Sequence, residues 1–540
     1  MIKKILFTFI ILFLSFAVSS ENSKLSQVTE KKLSKQALLD KIKGGWAGQT
    51  IGVVYGAPTE FNFQGTTIQN YQPLPWYEGI VKYWWEKKPG LFDDIYNDLT
   101  FAETFDKKGL DCSMDTLAAH FARPEYHLAH ANQAARYNLR HGIMPPASGN
   151  WMNNPHADDI DFQIEADFIG LMSPGMINQT MDLANRVGHI MNSGDGFYGG
   201  AFISGLYSTA FVSDDIADII HTALSTIPKE SQFNQCISDV INWHKLYPDD
   251  WERCWFELHK KWNKDVGCPK GVFLSFNIDS KINSAYIALA LLYGNGDYSK
   301  TLEIAVRCGQ DTDSNASPIG GILGVMKGYS GIPAFWLNPL KEIEALNFEG
   351  MDISLNKAYE MSNRHALELI RKNGGKIQGD EIHIKLQQPA VLPLEQNFVK
   401  TIPICRDRKD CFFTDQYTFD FKGNGFVVYG NLVSTRHVTA DYINRVSTRH
   451  IGSEVFGLGE PTDPYIARME VWIDGKLDNT VELPMKNTSR RLEPAWKYLL
   501  PEGKHHVILK WLNRDPVYLI RINDIIYYSE NQLPDKYYHN

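Results

Sequence analysis

Two aspartates and a hydroxyl lie close together in the second half of the chain. Asp311, Asp313 and Ser314 precede a run of small residues at 316–324, so they stand where a loop turns into a predicted helix. Carboxylate and hydroxyl oxygens are the ligands that Mg²⁺ prefers. Helix capping is the alternative, because Asp313 or Ser314 could cap the helix and Asp311 would favour its dipole.

A second acidic group lies far upstream. Asp93 and Asp94 open a predicted helix, and Asp98 follows Asp94 by four residues, which places both side chains on one helix face. Like charges at this spacing repel unless a cation lies between them or water solvates them, and a solvated first turn is the alternative. The predicted metal ligands are Asp93, Asp94, Asp98, Asp311, Asp313 and Ser314.

Three segments occur in a characteristic order: the glycine-rich residues 44–61, the Asp93-Asp94 helix start, and Gly309-Gln310-Asp311-Thr312-Asp313-Ser314. Together they resemble the ADP-ribosylglycohydrolase family, and a weaker match lies at residues 188–201. The resemblance covers roughly residues 35–345. It implies a mainly α-helical domain that binds two Mg²⁺ ions, with Mn²⁺ as an alternative ion.

The resemblance also assigns roles to particular residues. Glu60 matches the family's active-site glutamate and is the predicted catalytic residue; a surface residue after Pro58 is the alternative. Ser314 replaces the family's final threonine, and its hydroxyl can still bind a metal. Phe92 replaces the threonine before the double aspartate, which puts one ion in doubt, although Asp98 could compensate.

Charged residues in the middle of the chain predict a substrate-binding wall. Asp158 and Asp159 lie in an acidic stretch beside apolar residues. His189, Asp195 and Gly196 belong to a glycine-rich segment that resembles the family's substrate loop. Both sets have structural alternatives, because Asp158 or Asp159 could cap a helix and a single histidine is more often structural.

Composition limits the class of protein. The chain has 540 residues, of which 44% are hydrophobic, so it can form more than one domain. A net charge of −9 and the lack of a basic tract argue against a nucleic-acid partner. Seven cysteines are too few for a disulfide scaffold. Cys405 and Cys411 flank charged residues 406–410 and are candidates for one disulfide.

The first 20 residues have the pattern of a secretory signal peptide. Lys3 and Lys4 precede an apolar run at 5–18, and small residues follow it. The predicted mature protein is secreted or periplasmic, has no membrane association after cleavage, and starts with a disordered segment at 21–34.

The hydrophobic period changes near residue 375. Residues 35–375 have a helical period and form the predicted catalytic domain. Residues 376–540 alternate between apolar and polar side chains, which predicts an all-β sandwich of the jelly-roll type. Such a domain could bind carbohydrate, with Trp496 as a stacking surface, whereas Trp472 and Trp511 are more typical of a core.

These patterns predict a secreted, metal-dependent glycoside hydrolase. Its reaction would cleave an N- or O-glycosidic bond at C1 of ADP-ribose or of a related sugar or glycan. No arginine or lysine cluster near the motifs indicates a diphosphate site. The partner is therefore left open as a small-molecule or glycan substrate. A non-catalytic glycan-binding protein that retains the hydrolase fold is the alternative.

Overall fold

The computed structural model describes residues 29–435 and 463–531. The predicted signal peptide, residues 1–20, and most of the segment 21–34 lie outside these ranges. No helix among the described residues has both the length and the apolar character needed to cross a membrane.

The helices have the following bounds: α1 Lys35–Gly56, α2 Ile80–Lys87, α3 Asp93–Lys108, α4 Met114–Phe121, α5 His130–Arg140, α6 Asp161–Ile164, α7 Asp167–Met172, α8 Ile177–Gly188, α9 Gly194–Ala210, α10 Ile216–Leu224, α11 Gln232–Leu246, α12 Trp251–Trp262, α13 Ser280–Gly294, α14 Tyr298–Arg307, α15 Thr312–Lys327, α16 Ala334–Leu337 and α17 Leu355–Lys372. The strands are β1 Glu30–Ser34, β2 Lys376–Gln378, β3 Glu381–Lys385, β4 Ile402–Phe413, β5 Gln416–Gly423, β6 Gly425–Ser434, β7 Ile466–Ile473, β8 Lys476–Pro484, β9 Ala495–Lys497, β10 Gly503–Trp511 and β11 Tyr518–Ser529.

Helices α1 and α15 form the centre of the helical domain. Glycines recur every fourth residue along one face of α1, and α15 packs against that face. A Cβ atom at Gly48 would lie 2.0 Å from the carbonyl oxygen of Gly320, and one at Gly52 would lie 2.1 Å from that of Ala316. The glycines therefore allow backbone-to-backbone contact between the two helices, which offsets their poor helix propensity.

A small antiparallel sheet corrects the prediction of disorder before residue 35. Strand β1 pairs with β3, which also pairs with β2. Ile382 and Ile384 of β3 are buried in the core of the helical domain. Residues 30–34 are therefore an ordered strand, and β2 and β3 belong to this sheet and not to the sandwich.

Two four-stranded antiparallel sheets form the C-terminal domain, in the orders β5-β10-β7-β8 and β4-β11-β6-β9. Their alternating apolar side chains form a separate core, which includes Phe426 and Trp511. Asp474 and Gly475, both with positive φ, form the tight turn between β7 and β8. The predicted fold class, a mainly helical domain followed by an all-β sandwich, is confirmed.

The two domains share a mixed polar and apolar interface. Trp151, Phe398 and Tyr498 contact one another in a small core between them. The indole N–H of Trp496 donates to the carbonyl oxygen of Met152 at 3.0 Å, within that interface. Trp496 therefore contributes to domain packing while it stays partly exposed, and its role as a stacking surface stays a prediction.

The disulfide prediction is wrong. Cys405 and Cys411 both lie in the continuous strand β4, and both are free thiols. Six residues of extended chain span about 20 Å. Between them, Arg406, Asp407 and Arg408 form ladder positions opposite β11.

Candidate active site

The contact between α1 and α15 brings Glu60 close to the later acidic motif. At the end of α1, a Cβ atom on Gly56 would lie 2.2 Å from the carbonyl oxygen of Thr312. Beyond it, the N–H of Phe61 donates to the carbonyl oxygen of Gln310 at 2.9 Å. These backbone contacts hold the Glu60 turn beside the first turn of α15.

Two acidic helix starts face each other next to this turn. Asp93 and Asp94 begin α3, whereas Asp311, Asp313 and Ser314 lie at the start of α15. Neither helix has a capping hydrogen bond from a side chain, so the structure does not support the alternative that Asp313 or Ser314 is a helix cap. The hydroxyl of Ser314 lies 3.4 Å from Oδ1 of Asp94, which links the two starts.

These carboxylates hold more negative charge than their surroundings compensate. Burial, reinforced by Glu60, raises the pKa of Asp93 to about 7. Burial and neighbouring carboxylates also raise the pKa of Asp94, Asp311 and Asp313 well above its usual range. Among the described residues, Oδ2 of Asp94 and Oδ1 of Asp313 are buried without a hydrogen-bond partner. Such a group binds protons or a cation.

Glu60 lies at the edge of this group. Its Oε2 atom accepts from the ammonium of Lys88 at 2.6 Å, and a quarter of its side chain is exposed. Burial lowers the pKa of Lys88, but the charges of Glu60, Asp313 and Asp93 outweigh burial and raise it. Lys88 therefore stays charged and holds the carboxylate of Glu60 in place.

A cavity of about 490 Å³ opens over Glu60 and the acidic residues. Its polar lining includes Glu60, Asn62, Lys88, Asp93, Asn97, His127, His130, Asn132, Asp161, Lys270, Asp311, Asp313 and Ser314. Its apolar lining includes Phe61, Trp84, Ile164, Phe276 and Ile278. The cavity thus combines a charged floor with apolar walls, as in small-molecule sites.

The geometry agrees with the comparison to known families. A model of the ADP-ribosylglycohydrolase family matches residues 34–365, which is more than half of the chain. The chain belongs to the ADP-ribosylglycohydrolase family. This membership confirms the resemblance and supports a glycosyl hydrolase activity.

Comparisons with solved structures and with curated proteins add no functional assignment. A solved structure titled "ADP-ribosylglycohydrolase-related protein complex" is 13% identical to this chain, with a TM-score of 0.41. The match covers 62% of this chain and 99% of that one. A comparison with curated proteins finds no match.

The residues at the two acidic helix starts fit the Mg²⁺ ions that the ADP-ribosylglycohydrolase family implies. Asp93, Asp94, Asp311 and Asp313 offer hard oxygen donors, and two of their buried oxygens lack a partner. Ser314 adds a hydroxyl. Phe92, the departure from the family pattern, packs its ring against Trp85 at 5.2 Å between centroids, and contributes no ligand.

Asp98 does not line the acidic cavity. Its Oδ2 atom accepts from the amide of Gln49 at 3.0 Å and from the N–H of Phe168 at 3.3 Å. Burial, and then Asp167, raises the pKa of Asp98 well above its usual range. Its Oδ1 atom, like Oδ2 of Asp94, is buried without a hydrogen-bond partner among the described residues.

Two predicted substrate residues line a different cavity. Asp158 and Asp195 belong to a second cavity of about 630 Å³. There the ammonium of Lys281 lies 3.4 Å from Asp195 and 3.1 Å from Asp279. We call Asp158, Asp195, Asp279 and Lys281 the lysine-centred cluster, and Asp93, Asp94, Asp311, Asp313 and Glu60 the acidic cluster.

The other predicted substrate residues also lie outside the acidic cavity. His189 lies 2.9 Å from Glu395, and Glu395 also accepts from the N–H of Gly194. Gly196 lies in the first turn of α9, where a Cβ atom would be 2.2 Å from the carbonyl oxygen of Ala157. The predicted glycine-rich loop is therefore a helix start whose glycines allow close packing. Asp159 lies in a separate buried group with His156.

Sequence reasoning did not select several residues that line the acidic cavity. Asn97 follows Asp93 by one helical turn, a spacing that could have identified it. Asp161 accepts from the N–H groups of Ala131 and Asn132, which fixes the start of α5. Lys270 has no sequence signal, because only the fold brings residue 270 to this cavity.

Proposed function

We propose that this chain hydrolyses a glycosidic bond at C1 of an ADP-ribosyl group or a related sugar, with a divalent cation bound at the two acidic helix starts. The observation that carries the proposal is the convergence of Glu60, the start of α3 and the start of α15 on one cavity. Family membership supports the reaction class.

Bound Mg²⁺ would supply electrostatic stabilisation and lower the pKa of a coordinated water. Asp93, Asp94, Asp311 and Asp313 would hold the ion, with the hydroxyl of Ser314. Glu60 would accept a proton from the attacking water or stabilise positive charge at C1. Lys88 would act as a positioning residue, because its ammonium fixes the carboxylate of Glu60.

The cavity lining favours a substrate with an anionic portion. Lys88 and Lys270 both line the cavity, although they are far apart in the sequence. Burial lowers the pKa of Lys270 to about 8, so a phosphate placed nearby would favour its charged form. Apolar side chains such as Phe276 offer a surface for the less polar face of a sugar or base. These features support an ADP-ribosyl group over a neutral glycan.

We also propose that the chain is exported. Two lysines, an apolar run and small residues at positions 1–20 support this proposal. Amino-terminal sequencing of the protein recovered outside the cytoplasm should find a start near residue 21. Recovery of exported protein that retains Met1 would contradict it.

The reaction is tested with Glu60→Gln. The full chain is incubated with an ADP-ribosylated peptide and with a panel of oligosaccharides, with and without Mg²⁺ or Mn²⁺. We expect metal-dependent release of ADP-ribose, and a loss of turnover of about 10²- to 10⁴-fold in Glu60→Gln, the usual contribution of an acid–base group. Metal affinity should be retained.

Glu78→Gln provides the matched control, because Glu78 is an exposed glutamate and does not line the cavity. Parent-level turnover by Glu60→Gln would show that Glu60 is misassigned. If no sugar bond of any kind is cleaved and the β-sandwich binds glycans, the alternative of a non-catalytic glycan-binding protein replaces the proposal.

A further inference from the structure

A second group of ligand-type side chains lies behind the wall of the acidic cavity. His130, His156, Asp159 and Cys268 are all buried, and one donor atom from each lies within 4.8 Å of the others. His130 begins α5, Asp159 precedes α6, and Cys268 lies between α12 and α13. The fold therefore brings together nitrogen, oxygen and sulfur donors that have no motif spacing in the sequence.

The distances between donor atoms approach those of a tetrahedral site. In such a zinc site, neighbouring donor atoms are about 3.3 to 3.6 Å apart, as bond lengths of about 2.0 to 2.3 Å require. Nδ1 of His130 lies 3.3 Å from Oδ2 of Asp159 and 3.8 Å from Sγ of Cys268. Nδ1 of His156 lies 2.7 Å from the same Asp159 oxygen. The first two distances lie at or just above this range, and the third is a hydrogen bond that a bound ion would replace.

The outer nitrogen of His156 has the partner that metal-bound histidines usually have. Its Nε2 atom lies 2.9 Å from Oε1 of Glu493, which is buried and belongs to the β-sandwich domain. A carboxylate in this position fixes the ring and makes the metal-binding nitrogen more basic. The contact also makes the group a bridge between the two domains.

His130 has an unusual backbone. Its φ of +45° is rare for a residue with a side chain and costs free energy. This conformation directs the ring of His130 to a position where it contacts Asp159 and Cys268 and also lines the acidic cavity. The tertiary structure thus maintains a strained residue where a metal ion would be bound.

We propose that His130, His156, Asp159 and Cys268 bind one zinc-type ion, separately from the acidic cluster. A cysteine and two histidines favour zinc or a similar transition metal over Mg²⁺. Four protein ligands leave no open position, so the ion is structural. It joins the β-sandwich to the helical domain through Glu493 and fixes the cavity wall at His130. The proposal does not depend on the proposed reaction.

The competing explanation is a protonated His156 between two carboxylates. In that case the positive charge between Asp159 and Glu493 comes from the histidine alone, and neither Cys268 nor His130 is needed for it. The two explanations differ in whether the thiol of Cys268 takes part, which makes Cys268 the informative residue.

The test uses the full chain, purified without added metal, with zinc content measured after dialysis against Mg²⁺. Co²⁺ is then exchanged into the site, and the thiolate-to-cobalt charge-transfer absorption is recorded. We expect one tightly held zinc per chain, and an absorption of this type with Co²⁺. Cys268→Ser should lose both, whereas Cys254→Ser, which removes another fully buried thiol, should keep both. Asp313→Asn should also keep the zinc.

Each alternative result is decisive. Parent chain that binds no zinc tightly, or a cobalt derivative without a thiolate band, overturns the proposal in favour of the protonated His156. Zinc retained at one per chain in Cys268→Ser also overturns it. If Cys268→Ser does not fold, the cobalt spectrum of the parent chain still decides whether a thiolate binds the ion. Failure of the proposed glycosidase reaction would leave these measurements unaffected.

Discussion

The acidic cluster and the lysine-centred cluster are both groups of largely buried carboxylates, yet they compensate charge in different ways. In the lysine-centred cluster the ammonium of Lys281 lies within 3.4 Å of both Asp195 and Asp279. In the acidic cluster the ammonium of Lys88 pairs with Glu60 at the edge. Among the described residues, Asp94 and Asp313 each retain a buried oxygen without a partner.

The comparison shows that acidic density alone does not indicate a metal site. Both clusters raise carboxylate pKa values, as Asp158 and Asp313 illustrate, because burial dominates in both. What distinguishes them is whether the protein itself supplies a central cation. In the lysine-centred cluster we expect the carboxylates to stabilise the fold, and in the acidic cluster, which opens into a cavity, we expect an external cation.

The largest expected difference between the clusters concerns metal binding. Asp313→Asn should abolish tight binding of Mg²⁺ or Mn²⁺, measured by calorimetry. Loss of a group that only orients a ligand costs about 10- to 100-fold in metal affinity, and loss of a ligand should cost more. Asp195→Asn, the matched change in the lysine-centred cluster, should leave this affinity unchanged. Equal effects of the two substitutions would remove the distinction between the clusters.

Removal of the ammonium of Lys281 should lower the stability of the protein and leave its Mg²⁺ affinity unchanged. Lys281→Met removes the ammonium between Asp195 and the buried Asp279, so it should lower the free energy of unfolding by about 3 to 5 kcal/mol, measured by urea denaturation. Mg²⁺ affinity should persist in the folded fraction. Lys260→Met, at an exposed lysine, should change stability little. A stable Lys281→Met protein would mean that water or another ion compensates the charge of the carboxylates in the lysine-centred cluster.

Disruption of the contact between α1 and α15 should affect the acidic cluster and not the lysine-centred cluster. A Cβ atom in Gly56→Ala would collide with the backbone of Thr312 and Asp313, at 2.2 and 2.3 Å. We expect a stability loss of about 1 to 3 kcal/mol together with weaker Mg²⁺ binding. Gly503→Ala should be tolerated, because its nearest atom is 3.9 Å away. Unchanged Mg²⁺ affinity in Gly56→Ala would show that the helix contact does not position the ligands.

The smallest expected effect is the dependence of Mg²⁺ affinity on pH. Burial and Glu60 raise the pKa of Asp93 from 3.8 to about 7, so protons and Mg²⁺ compete at this residue. Mg²⁺ affinity should therefore rise by up to about tenfold per pH unit towards pH 7. Without metal, the folded state binds the proton more tightly, so its stability falls as pH rises from 3.8 to about 7.

Calorimetry at several pH values between 5 and 8 measures this dependence. Asp93→Asn removes the titrating group and should flatten the profile, although it also weakens binding. A parent protein whose Mg²⁺ affinity is constant over this range would contradict the assignment of Asp93 as a ligand.

Local patterns were sufficient for much of the fold. The alternation at 505–511 is typical of a strand, as in β10, and Asp474-Gly475 is typical of a tight turn, as after β7, since both depend on neighbouring residues. The small residues at 316–324 are typical of close helix packing, which α15 makes with α1. By contrast, residues 194–200 form a helix start and not a loop, because their glycines meet Ser280 and Phe162 from distant segments. The predicted limits of the domains and the site roles remain predictions.

The sequence by itself determined the family, the helical and β parts, and the two acidic segments, because each depends on residue type and short-range spacing. Only the tertiary structure decided which acidic residues share a cavity. Asp98 and Asp195 have the same chemistry as Asp313, but their partners come from residues far away in the chain, Gln49 and Lys281. It also brought Cys268 to His130. These two residues lie more than a hundred positions apart, so no sequence spacing could have revealed their contact.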